Sequence, residues 1–132
     1  MTPGSPSYLA LAVRALTLRC PNCGGRGVVA NWFRLEERCP TCGLRTDRVA
    51  GHWVGGVGIN TIVSFGVLAI VVVVGAVTTY PHVPMVPMMA AGIGTAIGMP
   101  IVFWPFSQLT WTAVDLGMRP ARREELDPRY AP

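Results

Sequence analysis

Charged residues crowd the two ends of this chain and leave its middle empty. From Val49 to Val114, 66 consecutive residues include no Asp, Glu, Lys or Arg. Two apolar stretches lie inside this block, at about 54–79 and 87–109. The centre of the first, Ile62 to Val77, is rich in valine and has the propensity of a buried strand. Length decides otherwise, because strands run ~4–8 residues whereas ~20 apolar residues cross a bilayer as a helix. The connection, Tyr80-Pro-His-Val-Pro-Met-Val-Pro87, is a proline-dense turn, with Pro87 suited to the first helical position. A helical hairpin is predicted.

The flanks carry weaker periodicities. In residues 7–18, Leu9, Ala12, Val13 and Leu16 follow helical spacing, and Leu11, Ala15 and Leu18 widen the apolar face. This segment is too short to span. It either lies in the membrane interface, with Arg14 and Arg19 reaching the headgroups, or packs on the rest of the protein. Residues 27–35 alternate loosely and predict a short hairpin strand, with Val28, Trp32, Phe33 and Leu35 as its core candidates. Leu109, Ala113 and Leu116 predict that the second span's helix continues along the inner surface until Arg119-Pro120 stops it. The glycines at 51, 55, 56 and 58 serve either a hinge or the close approach of a neighbouring helix. The tail, 119–132, is expected to be mobile unless a partner holds it.

Cysteine placement changes the picture most. Cys20-Pro-Asn-Cys23-Gly24 and Cys39-Pro-Thr-Cys42-Gly43 repeat one unit and use all four cysteines of the chain. In each, the glycine permits a positive φ, so that backbone N–H groups can turn toward the thiolates. Two such turns face to face offer four sulfurs in a tetrahedron, the geometry of a closed structural zinc site. Two disulfides or unligated thiols are the competing readings, and iron in a rubredoxin-like FeS4 centre is the alternative metal. A core as small as that of residues 20–48 needs such a staple. The predicted class is therefore a membrane α-helical hairpin of two transmembrane helices. It carries a small N-terminal zinc-ribbon-like β module, expected as a three-stranded ribbon, and flanking interfacial helices. Its parts are an interfacial helix (1–19), the four-cysteine module (20–48), the hairpin with its extension (49–118) and the tail (119–132).

All eleven cations are arginine, seven before the first span and four after the second. By the positive-inside rule both termini lie in the cytoplasm, a reducing side that favours a metal over disulfides. Trp53, Trp104 and Trp111 then fall near the inner interface and Tyr80 near the outer one. Met1 to Pro6 lacks a basic region and a cleavage site, so the N-terminus is expected to be retained. Formal charge is +4, and a divalent ion on four thiolates removes two of it, too little to argue for nucleic acid.

Other candidate positions are structural. His52 and His82 are separated by the first span, at opposite membrane faces, and cannot share a cofactor. Asn60 lies about two turns into that span, where an amide needs a partner, expected among Ser107, Gln108 and Thr110. Ala90, Gly94 and Gly98 form a small-residue stripe suited to the first span or to a helix of a larger partner. Pro100 and Pro105 each remove a helical donor. No Ser–His–Asp set, paired carboxylates, phosphate loop or intramembrane acid is present, so no enzyme activity is expected.

The order of parts carries a resemblance. Leu18-Arg-Cys-Pro-Asn-Cys-Gly24, a Trp-Phe patch, Arg38-Cys-Pro-Thr-Cys-Gly-Leu44, Asp47-Arg48, Gly51-His52, Gly55, Asn60, two spans and Trp104-Pro105-Phe106 follow one another. From about Arg14 to Pro120 the chain resembles the bacterial domain-of-unknown-function family number 983. That resemblance implies an inner-membrane protein with a zinc-ribbon-like head, no established enzymatic activity, and Cys20, Cys23, Cys39 and Cys42 as metal ligands. Some relatives are encoded near haem–copper oxidase genes. The expected role is thus an accessory subunit or assembly factor of a respiratory or photosynthetic membrane complex, in contact with lipid and with that complex's helices. A membrane-tethered FeS4 electron carrier is the alternative.

Overall fold

The structure, a computed structural model, describes residues 6–126 and Arg129. The chain start before Pro6, and residues 127–128 and 130–132 of the tail, lie outside the described residues. In order come α1 (Tyr8–Leu16), β1 (Val29–Asn31), β2 (Arg34–Leu35), α2 (His52–Thr79) and α3 (Met85–Met118), then one 3-10 turn at Arg123–Glu125.

α2 and α3 pair as the predicted hairpin, and both are long and apolar enough to cross a membrane. At ~1.5 Å per residue they extend about 42 and 51 Å, beyond the ~30 Å of a hydrocarbon core. α3 begins at Met85, not Pro87, with Pro84 as its N-cap. Pro87 is thus the third helical residue, still within the turn whose N–H groups have no intrahelical acceptor. The helix continues unbroken through Pro100 and Pro105 to Met118.

Burial is one-sided along this hairpin. α2 buries His52, Gly56, Asn60 and Ser64, and α3 buries residues only from Pro105 onward. Among the described residues from Phe65 to Trp104 none is buried. Ile70, Val73, Met89 and Ile97 all point outward.

The head is smaller than a three-stranded ribbon. β1 and β2 pair antiparallel, Val29 with Leu35 and Asn31 with Arg34, and the third strand shrinks to one bridge between Arg38 and Arg45. The cause is the second knuckle, which occupies Cys39 to Gly43 and leaves one residue on each side to pair. Of the expected core residues Val28 is buried and Leu35 half-buried, while Trp32 and Phe33 stand exposed at the hairpin tip. Leu44 fills the space instead.

α1 packs rather than lying free. Ser7 caps it, its Oγ accepting the Ala10 N–H at 3.2 Å. Leu11 and Ala15 enter one cluster with Leu109, Ala113 and Leu116 of α3, and with Cys20, Val28, Cys39 and Leu44 of the head. The residues that widened the apolar face are the ones that pack, and Leu9, Val13 and Leu16 remain exposed. Head and stalk share a single core.

Candidate metal centre

Both knuckles form as their sequence requires. Gly24 and Gly43 take positive φ, 76° and 73°. The amide of Gly24 closes on the Cys20 carbonyl at 2.8 Å, and that of Gly43 on the Cys39 carbonyl at 2.9 Å. These turns bring all four Sγ atoms within 4.8 Å of one another. Cys20 and Cys42 Sγ are 3.9 Å apart, and Cys23 and Cys39 Sγ 3.7 Å. A metal–sulfur bond of ~2.3 Å places tetrahedral sulfurs about 3.8 Å apart, which these two distances match, so the cluster could hold one tetrahedral ion. The four cysteines are free rather than paired as disulfides.

The electrostatics call for a cation. Hydrogen bonding by Cys39 and Cys42, together with burial, pushes the Cys20 thiol far above its ordinary range. Hydrogen bonds from Cys20 and Cys42 hold Cys39 far below it. Burial raises Cys23 to about 11, although the Gly25 N–H, 3.3 Å from its sulfur, opposes the rise. Without an ion the cluster thus keeps protons on its sulfurs; holding all four as thiolates needs a positive charge among them, which a divalent ion would supply.

Two arginines brace the knuckles from outside, and spacing alone gave no sign of them. Arg14 Nη1 donates to the carbonyls of Pro21 (3.1 Å) and Asn22 (2.7 Å) instead of reaching toward headgroups. Arg38 Nη1 donates to the Gly43 carbonyl at 3.0 Å. Each guanidinium thus covers the outward carbonyls of one turn.

The head is fastened to the hairpin at two further points. Pro105 lacks the N–H that would reach the Ile101 carbonyl one turn earlier. Trp32 Nε1 donates to that carbonyl at 2.7 Å, and Trp104 Nε1 returns a bond to the Phe33 carbonyl at 3.1 Å. Trp32 also meets Phe106 edge-on, ring centroids 6.5 Å apart. At the other point Arg48, its side chain 6% exposed, bonds Asp115 Oδ2 (2.9 Å) and Glu125 Oε2 (2.8 Å). It also donates to the Arg119 carbonyl at 2.8 Å. Part of the tail is thereby held within the chain itself.

Asn60 makes the predicted interhelical bond, but with different partners. Its Nδ2 donates to the Pro100 carbonyl at 2.9 Å, and its Oδ1 accepts from Ser64 Oγ at 3.0 Å. Ser107 instead bonds the Trp104 carbonyl, and Gln108 lies over Gly56. Its acceptor is thus the backbone of the facing helix rather than one of the three polar side chains expected. The glycines before Asn60 serve close approach: a Cβ at Gly55 would lie 2.0 Å from the Trp111 ring, and one at Gly56 2.5 Å from Gln108. The Ala90, Gly94 and Gly98 stripe is not where α2 sits. Ala90 and Gly94 are exposed, and a Cβ at Gly94 or Gly98 would meet nothing within 4 Å. His52 is buried, Nε2 3.1 Å from Thr112 Oγ1, and His82 is exposed in the connection.

The fold and site together define a four-cysteine head able to hold a metal ion, built on a two-stranded sheet and fused to a pair of long apolar helices. No family model, curated protein or solved structure matches the chain.

Proposed function

We propose that this protein is a non-enzymatic accessory subunit or assembly factor of a larger membrane complex, with a zinc-stapled head on the cytoplasmic face of a bacterial inner membrane. The observation that carries the reading is the one-sided burial. The hairpin is tied together beside the head, while its remaining surface from Phe65 to Trp104 is apolar and open. A pair of helices with so little internal packing suits lipid on one side and larger helices on the other. The exposed Gly94 and the uncrowded Gly98 offer a place for close helix approach. Arginines at both ends and their absence from the connection support the orientation, and the likeness to family number 983 supports the setting.

Zinc is the preferred ion, because the 15 residues between the two knuckle pairs suit a minimal zinc ribbon. Iron at the same sulfurs would make a one-electron carrier, and a visible spectrum separates the two. Purification in mild detergent tests the role. A defined membrane complex should accompany the wild-type protein and be lost from Gly94→Leu/Gly98→Leu, while metal content stays unchanged. A free monomer from native membranes would overturn the reading.

A further inference from the structure

Between head and hairpin lies a crevice of about 240 Å3 that neither the metal nor the helix pairing uses. Its walls include Phe33, Trp53 and Trp104, its rim Glu37 and Asp47, and its floor Gln108. No arginine lines it. Neither of these two carboxylates takes part in the ion pairs of Arg48. The Gln108 Nε2 is buried and has no hydrogen-bond acceptor. Nor is this a second metal site: among the described residues only the four cysteines converge closely enough for one.

A second cavity adjoins the crevice. It measures about 200 Å3 and lies between α2 and α3, lined by Val57, Phe65, Leu68 and Pro100 with Asn60 and Ser64. Trp104 borders both cavities. On α2, Trp53, Val57, Thr61, Ser64 and Leu68 follow one another at helical spacing, so the two cavities share a face of that helix. The upper chamber is acidic and aromatic, and the lower is almost wholly apolar.

We propose that these two adjoining cavities together bind one phospholipid with a primary-amine headgroup, of the phosphatidylethanolamine type. The ammonium lies between Glu37 and Asp47 and against the faces of Trp53 and Trp104, which attract a cation through the ring quadrupole. Gln108 Nε2 supplies the donor an ester or phosphodiester oxygen needs, and an acyl chain runs past Val57 and Phe65. An anionic headgroup without an amine would meet two carboxylates and no arginine. The site rests on the membrane reading above, which sets Trp53 and Trp104 at the headgroup level.

The test uses the full-length, metal-loaded protein in nanodiscs holding equal amounts of phosphatidylethanolamine and phosphatidylglycerol, with retained lipid read by native mass spectrometry. Wild type should keep the ethanolamine lipid about tenfold over the glycerol lipid, a single charge-assisted contact's worth of selectivity. Glu37→Gln/Asp47→Asn should bring that ratio near unity while metal content is unchanged. Equal retention by wild type would overturn the site and leave the membrane reading standing, whereas failure to enter nanodiscs would overturn both. Independently of any variant, a photoactivatable phosphatidylethanolamine should label peptides containing Trp53 and Trp104. Labelling confined to the connection near Tyr80 would overturn the proposal.

Discussion

The two ends of the hairpin have the same apolar character and opposite fates. Beside the head, His52, Asn60, Ser64 and Thr112 bond within or between the helices, and Gly55 and Gly56 let Trp111 and Gln108 lie flat against α2. Toward the connection, valines, isoleucines and methionines point outward. Lipid tails are as apolar as leucine, so apolar residues alone do not drive one helix onto another in a membrane. Pairing is specified only where polar groups, close approach or an attached domain supply it. Here the interhelical polar bonds and the attached domain occur at one end, while the connection end has one close approach, Gly75 against Met88.

Breaking the head should therefore loosen one end and spare the other. Cys39→Ser, or stripping the metal with a chelator, has the largest expected effect. Hydrogen exchange should show loss of protection from Cys20 to Arg48, whereas the helical circular dichroism of α2 and α3 persists. Removing the junction cation comes next. Arg48→Ala leaves Asp115 buried and unpaired and should cost about 3–5 kcal/mol of stability, measured by denaturation in detergent.

A subtler break targets the tip. Trp32→Phe retains a ring against Phe106 but leaves the Ile101 carbonyl without its donor, a loss of about 0.5–1.5 kcal/mol. In a Pro105→Ala background the helix supplies its own N–H to Ile101, so the same change should cost well under half as much. Equal losses in both backgrounds would show that the tryptophan contributes packing alone. Glu125 gives the smallest effect. Burial alone would raise its carboxyl, but the Arg122 N–H and the Arg48 guanidinium outweigh that and hold it below the ordinary carboxylate range. Its contribution is complete above that range and fades as pH falls through the depressed value. Acid below the ordinary range should thus loosen the tail in wild type, and Glu125→Gln should remove that step from a tryptic-cleavage profile.

What was legible in the sequence were features with local causes. The knuckles rest on Gly24 and Gly43, the helices on an unbroken apolar run, and the stop of α3 on Arg119-Pro120. The need of Asn60 for a partner was also local, but the identity of that partner depended on which carbonyl of α3 faces it 40 residues along the chain. Pro105 did announce that Ile101 would lack a donor. Nothing nearby pointed to Trp32, which lies 69 residues away. The bond from Arg48 to Asp115 spans 67 residues and was equally hidden among the seven arginines that precede the first span. The stripe at Ala90, Gly94 and Gly98 fits a helix by spacing, and spacing does not say whose helix. Leu44 was missed because it follows the second knuckle directly, and its burial comes from a cluster assembled from α1, α3 and the head.

Metal and thiols counted together on the freshly purified protein give the sharpest test of the sulfur cluster that joins the two knuckles of the head. One zinc per chain, with all four thiols unreactive until a chelator is added and then all four reactive, is the predicted result. Metal-free protein with four freely reactive thiols, or with two disulfides, would contradict it.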